Sequence, residues 1–506
     1  TYVSSTYIFL FILFGSFLER AGMIRLFTDV AMGLFGHRQG GAAKVAVVSS
    51  GLMGTISGSG VANVVTTGQF TIPLMKKFGY RSAFAGGVEA TASMGGQIMP
   101  PVMGAVAFIM AETLDVPYVE VVKAALIPAI LYFASAFWMV HLEAGRYGLR
   151  GLNRNELPSA RDAIKKNWML LVPLGVLVYL LFGGYTPLFA GTIGLGLTVL
   201  LILGGSAVLN LPAGAMRVIF WMCLGLVAAG FLQFGINVLI AALVALIVWC
   251  ALTRGGRQTL ILCRDSLAEG AKTALPVGVA CALVGIIIGT MTLTGAANTF
   301  GQFIVAVGQN SLLLSLILTM FTCILLGMGI PTIPNYIITS SIAGPALLAL
   351  GVPLIVSHMF VFYFGILADL TPPVALACFA AAPIAKESGL KISIEAIKVA
   401  AAGFVIPFMA VYTPALMLQA GGPLAEAIGY WPAVAYIVFK TVLCIGMWGA
   451  AVIGWLGRPL GWPLRILAVV AAATLIAALP LTDEIGFALV ALFVGLVVLQ
   501  RRRALA

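Results

Sequence analysis

The sequence predicts an all-α polytopic membrane protein that carries an inverted repeat of re-entrant hairpin plus broken helix, and three observations predict it. The 506-residue chain is 61% hydrophobic and 9% charged, with a mean hydropathy of +1.10, whereas about a quarter of residues are charged in soluble domains. Its apolar segments are interrupted by polar, glycine- and proline-rich breaks at 54–101 and again at 327–373. Landmarks in the two breaks keep one offset: Asn63 and Asn335, Pro73 and Pro345, Gly79 and Gly351, and Pro100-Pro101 and Pro372-Pro373 are each 272 residues apart.

In chain order, residues 7–18 form a first span that ends at Glu19 and Arg20, and an amphipathic stretch follows at 23–35. His37, Arg38 and Lys44 on one side and Lys76, Lys77 and Arg81 on the other flank a segment, 45–75, without a charge. With Gly58-Ser59-Gly60 in its middle, this segment predicts a hairpin that enters and leaves on the cytoplasmic side, where basic residues gather. Residues 82–112 are apolar apart from Glu89 and are interrupted at Gly95-Gly96-Gln97 and Pro100-Pro101. Proline removes a donor and clashes with the preceding turn, so a span broken near its middle is expected. Residues 121–142 return. The longest polar stretch, 143–167, is too short to fold alone.

Residues 168–204 hold two spans joined at Gly183-Gly184-Tyr185-Thr186-Pro187, and 217–252 cross either once or twice, with an even number fitting the flanking charges. No Lys or Arg occurs between Lys272 and Lys386, where the single charge is Asp369, so the second hairpin is expected to open on the other side of the membrane. Further segments are expected at 399–419, 430–456, 466–481 and 485–500, with the C-terminus cytoplasmic. The chain divides accordingly into a first repeat with its leading helix (1–167), connecting helices (168–272), a second repeat (273–420) and C-terminal helices (421–506). Past the Pro-Pro pair the offset drifts, Ile127-Pro128 answering Ile406-Pro407 at 279.

Lipid offers backbone groups no partners, so a polar break survives only where protein buries it or where it lines a cavity. Interrupted segments at matching places in two halves point to the midplane site of a secondary transporter. Ser57, Ser59, Asn63, Thr66 and Thr67 in one copy, and Thr332, Asn335 and Thr339 in the other, supply neutral oxygens that, with unwound carbonyls, suit a hard cation such as Na⁺. Half-helix N-termini suit an anion. The bland reading is packing glycines and ordinary kinks.

Glu89 and Asp369 are the carboxylates inside core segments, and intramembrane carboxylates are costly enough to suggest function. Both stand as proton-coupling candidates beside a structural reading, and His358 stands likewise beside hydrogen-bonded packing. The basic loops explain the net charge of +11 topologically and leave nucleic acid without an argument. The seven cysteines lack metal-like spacing and read as packing residues. Nucleotide-binding motifs and catalytic constellations are not visible, so the chain does not read as an enzyme, and no cofactor is implied beyond a coupling ion, Na⁺ or H⁺.

At these residues the sequence resembles the large membrane subunit of TRAP transporters, and within them the fused permeases of the TAXI branch. The resemblance rests on Ser57-Gly-Ser-Gly-Val-Ala-Asn-Val-Val-Thr-Thr-Gly68, Thr71-Ile-Pro-Leu-Met75, Glu89, Met99-Pro-Pro-Val-Met-Gly104, Leu326-Gly-Met-Gly-Ile-Pro-Thr332, His358-Met-Phe-Val-Phe-Tyr-Phe-Gly365 and Thr371-Pro-Pro-Val-Ala-Leu376. It implies an elevator-type secondary transporter of the bacterial inner membrane, similar to the ion transporter superfamily. It also implies a TAXI-type periplasmic binding protein and a small membrane subunit, or its fused upstream equivalent, as partners. The chain opens at Thr1 without a methionine and reads as part of a longer product. The ion ligands are then expected among Ser57, Gly58, Asn63, Gly96, Pro100, Gly327, Thr332, Asn335, Ala368 and Thr371, and the substrate contacts among Ser59, Gly60, Thr66, Pro331, Asp369 and Pro372. Ile333-Pro334-Asn335 and Ala368-Asp369-Leu370 depart from the family pattern, so the second repeat is where altered preference is expected. A stand-alone anion carrier and a channel or scaffold subunit are the alternatives.

Overall fold

The computed structural model describes residue 6 and residues 8–503, apart from 213, 254, 310 and 478–480. Among these residues secondary structure is helical, with one isolated bridge between Trp455 and Pro459. Seven of the described helices are long and apolar enough to cross a membrane, and shorter apolar helices of 10–17 residues accompany them. The chain forms two compact units, residues 1–26 with 161–279, and residues 27–160 with 280–506.

The first unit holds Phe9–Leu18, Leu171–Phe182, Pro187–Leu209, Ala215–Phe234 and Ile236–Leu252. Segment 217–252 is thus two packed helices, broken at Gly235, where φ is +70°. Leu200, Leu203, Leu239, Leu246 and Cys250 form its core. Gly191 packs so closely on Leu10 and Phe11 that the leading helix lies against Pro187–Leu209.

The second unit contains the repeat. A first hairpin (Gly41–Ser57, Gly60–Lys77) is followed by a first broken span (Ser82–Gly95, Gly104–Thr113) and a return helix (Tyr118–Arg146). A second hairpin (Leu312–Gly327, Thr332–Ala349) is followed by a second broken span (Leu354–Ala368, Leu376–Ala385) and a second return segment over Gly389–Tyr412. The offset of 272 that relates the prolines also relates helix boundaries: Gly60–Lys77 maps onto Thr332–Ala349 and Gly104–Thr113 onto Leu376–Ala385. It extends upstream of the hairpins as well, because the amphipathic helix Ile24–Phe35 corresponds to Ala296–Gly308. Gly36 and Gly308 carry that correspondence in sequence, and two glycines are too few to signal it alone.

Opposite orientation is visible in the contacts. Lys76, at the open end of the first hairpin, donates to the Ala385 carbonyl at 2.7 Å. Ala385 ends the second broken span, and its counterpart Thr113 ends the first. In one repeat, therefore, this end lies with the hairpin mouth of the other. The same end gathers Arg81, Glu143, Glu395 and Lys398: Lys398 reaches Glu143 at 2.9 Å and Arg81 reaches Glu143 at 3.5 Å and Glu395 at 3.6 Å. Glu143, expected to open a polar loop, is buried as the third carboxylate of the core, because these cations compensate it. Lys44, expected as a flanking cation, is likewise buried, with its ammonium 3.1 Å from His141 Nδ1 and over the Phe137 ring.

The C-terminal helices Tyr430–Ile453, Trp462–Ile476 and Thr482–Arg503 pack in sequence, the first of them on the return helix 118–146, where Trp138 Nε1 donates to the Gly446 carbonyl at 3.4 Å. A lysine inside the first of them, Lys440, is buried against Asp483 at 2.5 Å.

Candidate functional site

Each hairpin tip meets the break of its own repeat. In the first, Gly58 turns the chain with φ +62°, and Ser59 caps the outer arm by accepting from the Ala62 amide at 3.4 Å. A Cβ on Gly54 would land on Gly96 Cα, and a Cβ on Gly58 would lie 2.6 Å from Gly104 Cα. Tip and break are in backbone contact that a side chain would prevent. The break itself runs through a short 3₁₀ turn at Gly96–Ile98, extended Met99 and a cis Pro100-Pro101 bond. The Tyr118 hydroxyl, with one hydrogen to donate, lies within hydrogen-bond distance of two of its carbonyls, those of Pro101 and Val102, at 2.7 and 2.8 Å.

Fully buried Asn63 lies beside Gly96, and its Nδ2 donates to the Ser50 carbonyl at 2.9 Å. Behind Asn63 is Glu89, also fully buried, which accepts from four hydroxyls: Ser50 at 2.7 Å, Thr71 at 2.5 Å, Ser93 at 3.1 Å and Thr67. Ser50 comes from the inner arm, Thr67 and Thr71 from the outer arm, and Glu89 and Ser93 from the broken span, so the carboxylate ties three helices together. Ser50 and Ser93 were not singled out by sequence reasoning, and Thr71 was named only as the start of a segment that carries the family resemblance. The signal was present in the i, i+4 spacing of Thr67 with Thr71 and of Glu89 with Ser93, which puts each pair on one helix face. Thr66 bonds back to Ala62 and Asn63 carbonyls of its own helix at 3.0 and 3.1 Å. Gly60 packs on Met94 and Gln97, and the Ser57 Oγ is buried without a partner.

In the second repeat Gly329 turns the tip with φ +78° and lies against Val374. Pro331 precedes the outer arm, which begins at Thr332. Asn335 is again fully buried, with Nδ2 donating to the Gly365 carbonyl at 2.8 Å, and it lies against Gly327. A Cβ on Gly327 would also lie 2.8 Å from Ala368. The break carries Asp369, fully buried, with Thr332 Oγ1 at 3.5 Å as its one hydroxyl neighbour. Asn335 Oδ1 and Asp369 Oδ1 are buried without hydrogen-bond partners. Thr371 bonds the Leu367 carbonyl at 2.8 Å beside the cis Pro372-Pro373 bond, and Thr339 bonds the Asn335 carbonyl at 2.7 Å. His358 sits elsewhere: its Nδ1 is 2.8 Å from the Tyr336 hydroxyl, and its other ring edge faces Gly344. Two asparagines, two chain breaks, and oxygens left unengaged at each tip are what a site for a small cation requires.

Residues 2–424 match the family model described as "Tripartite ATP-independent periplasmic transporter, DctM component". The chain belongs to the DctM family. Members of this family are transporter subunits rather than enzymes. Among curated relatives, the DctM family chain is 29% identical over 187 residues to the C4-dicarboxylate TRAP transporter large permease protein of Pseudomonas aeruginosa, covering 36% of this chain and 43% of the relative. It is 24% identical over 184 residues to the 2,3-diketo-L-gulonate TRAP transporter large permease protein of Escherichia coli, with the same shares. These matches span less than half of either relative. An uncharacterized protein of Salmonella typhimurium, YgiK, is 23% identical over 411 residues, 81% of this chain and 82% of that one. The match to the DctM family model stops before the three C-terminal helices.

Proposed function

We propose that this chain is the large membrane subunit of a tripartite transporter that uses a Na⁺ or H⁺ gradient to import a small organic anion across a bacterial inner membrane. The observation that carries the reading is the pair of inverted hairpin-and-break sites, each with a buried asparagine at its centre. Asn63 and Asn335, with Ser57, Thr332 and the unwound segments around Gly96 and Ala368, hold the coupling cation. Ser59, Gly60, Pro331, Asp369 and Pro372 face the anion. The substrate is a carboxylate: both relatives named above for a substrate carry one in their names, and half-helix N-termini favour negative charge. A periplasmic binding protein of the TAXI type delivers it, and a small membrane subunit, separate or fused upstream, completes the assembly. The hairpins and broken spans move together, elevator-fashion, against the remaining helices, and the C-terminus is cytoplasmic.

The test is uptake into proteoliposomes under imposed Na⁺ or H⁺ gradients, with and without the cognate binding protein. The expected result is uptake only when a gradient and the binding protein are both present. Full-rate uptake without the binding protein would make the chain a stand-alone carrier, and conductance independent of a gradient would make it a channel subunit.

A further inference from the structure

The two hairpins are fastened to their surroundings to different degrees. Apart from Val48, Leu52 and Ser57, every residue of the first inner arm, Gly41–Ser57, is buried. Polar ties hold this hairpin at several levels. Toward its open end the Lys44 ammonium is 3.1 Å from His141 of the return helix, and Lys76 of the outer arm donates to the Ala385 carbonyl at 2.7 Å. Halfway along, each oxygen of Glu89 holds one arm: Oε1 accepts from Ser50 of the inner arm at 2.7 Å, and Oε2 accepts from Thr71 of the outer arm at 2.5 Å. Hydrogen bonds to an ionised acceptor are the strong ones, and these two join both arms to the broken span. Asn63 Nδ2 then ties arm to arm at the Ser50 carbonyl.

In the second repeat these ties are absent from the sequence. At the offset of 272, Leu316 stands for Lys44, Thr322 for Ser50, Ala343 for Thr71, Leu348 for Lys76 and Val361 for Glu89. Thr322 bonds the Leu318 carbonyl of its own helix at 2.9 Å, and Thr319 Oγ1 is buried without a partner. Among the described residues, no side chain of the second inner arm, Leu312–Gly327, hydrogen-bonds the outer arm or the broken span. The arm is pinned near its start, where Ser315 donates to the Ile304 carbonyl of helix Ala296–Gly308. Beyond that point Phe321 and Leu325 are more than half exposed. The second outer arm behaves differently, because Asn335 and Tyr336 bond Gly365 and His358 of the broken span, each at 2.8 Å.

Segments with few buried contacts open at the lowest cost. We propose that the second inner arm is the gate of this carrier: held at Ser315, it swings at its tip away from Asn335 and Ala368, against which Gly327 rests, while the first hairpin stays closed as a wall. Opening uncovers Asn335 Oδ1 and Asp369 Oδ1, the two buried oxygens of this repeat's site that have no partners. Substrate and cation therefore enter and leave through the second hairpin. The inference rests on the transporter reading above, and the opening is local, separate from the carrier's movement as a whole.

Hydrogen exchange of the full chain in lipid nanodiscs, read by mass spectrometry while Na⁺ replaces choline at constant ionic strength, compares the arms. In choline the amides of 312–327 exchange about tenfold faster than those of 41–57, the factor set by one hydrogen-bond-sized tie. Na⁺ slows 312–327 and leaves 41–57 unchanged, and the concentration at half-effect is the Na⁺ midpoint. Glu89→Ala, which frees both arms of the first hairpin, raises exchange in 41–77 about tenfold. If that variant does not survive purification, Thr71→Val frees one arm at constant volume and raises exchange in 60–77. The gate itself is tested by a lock. A Cβ on Gly329 would lie 3.7 Å from Val374 Cβ, a separation that a disulfide spans. Gly329→Cys with Val374→Cys, once oxidised, loses most of the gradient-driven uptake shown by the same protein reduced, and reductant restores it, while the wild type under the same oxidant keeps its uptake. Equal exchange of the two inner arms, or full uptake in the oxidised variant, overturns the gate alone. A wild type without gradient-driven uptake overturns the transporter reading beneath it. Exchange that Na⁺ alters nowhere overturns the cation reading, and the gate is then decided by the choline comparison and the lock.

Discussion

Glu89 and Asp369 are both fully buried carboxylates in broken spans, and they are placed in opposite ways. Four hydroxyls from three helices converge on Glu89, one layer behind the tip asparagine. Asp369 lies in the break itself, beside one threonine at 3.5 Å, with one oxygen unengaged. The repeats exchange these features: Val361 stands where Glu89 would be, and Gln97, whose Nε2 lies 3.5 Å from the Met94 sulfur, stands where Asp369 would be. A saturated buried carboxylate organises its surroundings, whereas an unsaturated one needs something further, since an uncompensated buried charge is costly. No Lys or Arg lies between Lys272 and Lys386 to supply it.

The largest effect is therefore expected at Asp369. Asp369→Ala should reduce gradient-driven uptake roughly a hundredfold, the scale of losing one charged interaction of about 3 kcal/mol. Gln97→Ala, at the equivalent place in the first repeat, should change it by less than about threefold. Equal losses in uptake assays of the two variants would erase the contrast between the repeats.

Next in size is a steric difference between the breaks. Gly96 faces Gly54 backbone to backbone, and a Cβ there would lie 2.6 Å from Gly54 Cα, whereas the equivalent Ala368 already carries a Cβ beside Gly327. Gly96→Ala should cost about 1–3 kcal/mol as overpacking against backbone, read as a lowered melting temperature. Ala368→Gly should cost about 1 kcal/mol or less. A Gly96→Ala protein that melts like wild type would mean that the first tip is not held as closely as the geometry shows.

Much of this was legible before any coordinates, for physical reasons. Lipid forbids unpaired backbone, so glycine, proline and asparagine in an apolar run mark a protected break wherever they fall, and Asn63, Pro100 and their counterparts gave both breaks and the offset. What stayed hidden was compensation. Glu143 looks like a loop charge by neighbourhood and Lys440 like an unpaired cation in an apolar segment, and both are buried because Lys398, Arg81 and Asp483 arrive from far along the chain. The correspondence of Ile24–Phe35 with Ala296–Gly308 stayed hidden too, because an amphipathic helix keeps its polarity pattern while exchanging nearly every residue. The hydroxyls around Glu89 come from three separate helices, and only tertiary packing brings Ser50 to Thr67 and Ser93.

The smallest expected effect tests the tips themselves. Ser57 Oγ is buried and unpartnered, and the position 272 residues on is Gly329, which has no side chain to offer. If the first tip contributes a hydroxyl ligand that the second lacks, Ser57→Ala removes one neutral oxygen from one site. It should weaken the Na⁺ midpoint about threefold, corresponding to roughly 0.6 kcal/mol, at the low end for a single neutral hydrogen-bonding group. Stability without Na⁺ should rise slightly or stay constant, because the variant also removes a buried polar atom that has no partner. The two signs separate the readings: a packing serine gives the stability change alone, and a ligand gives both. A constant Na⁺ midpoint in Ser57→Ala would leave the amide oxygens of Asn63 and Asn335 as the features the two tips share, and would confine their differences to Glu89 and Asp369.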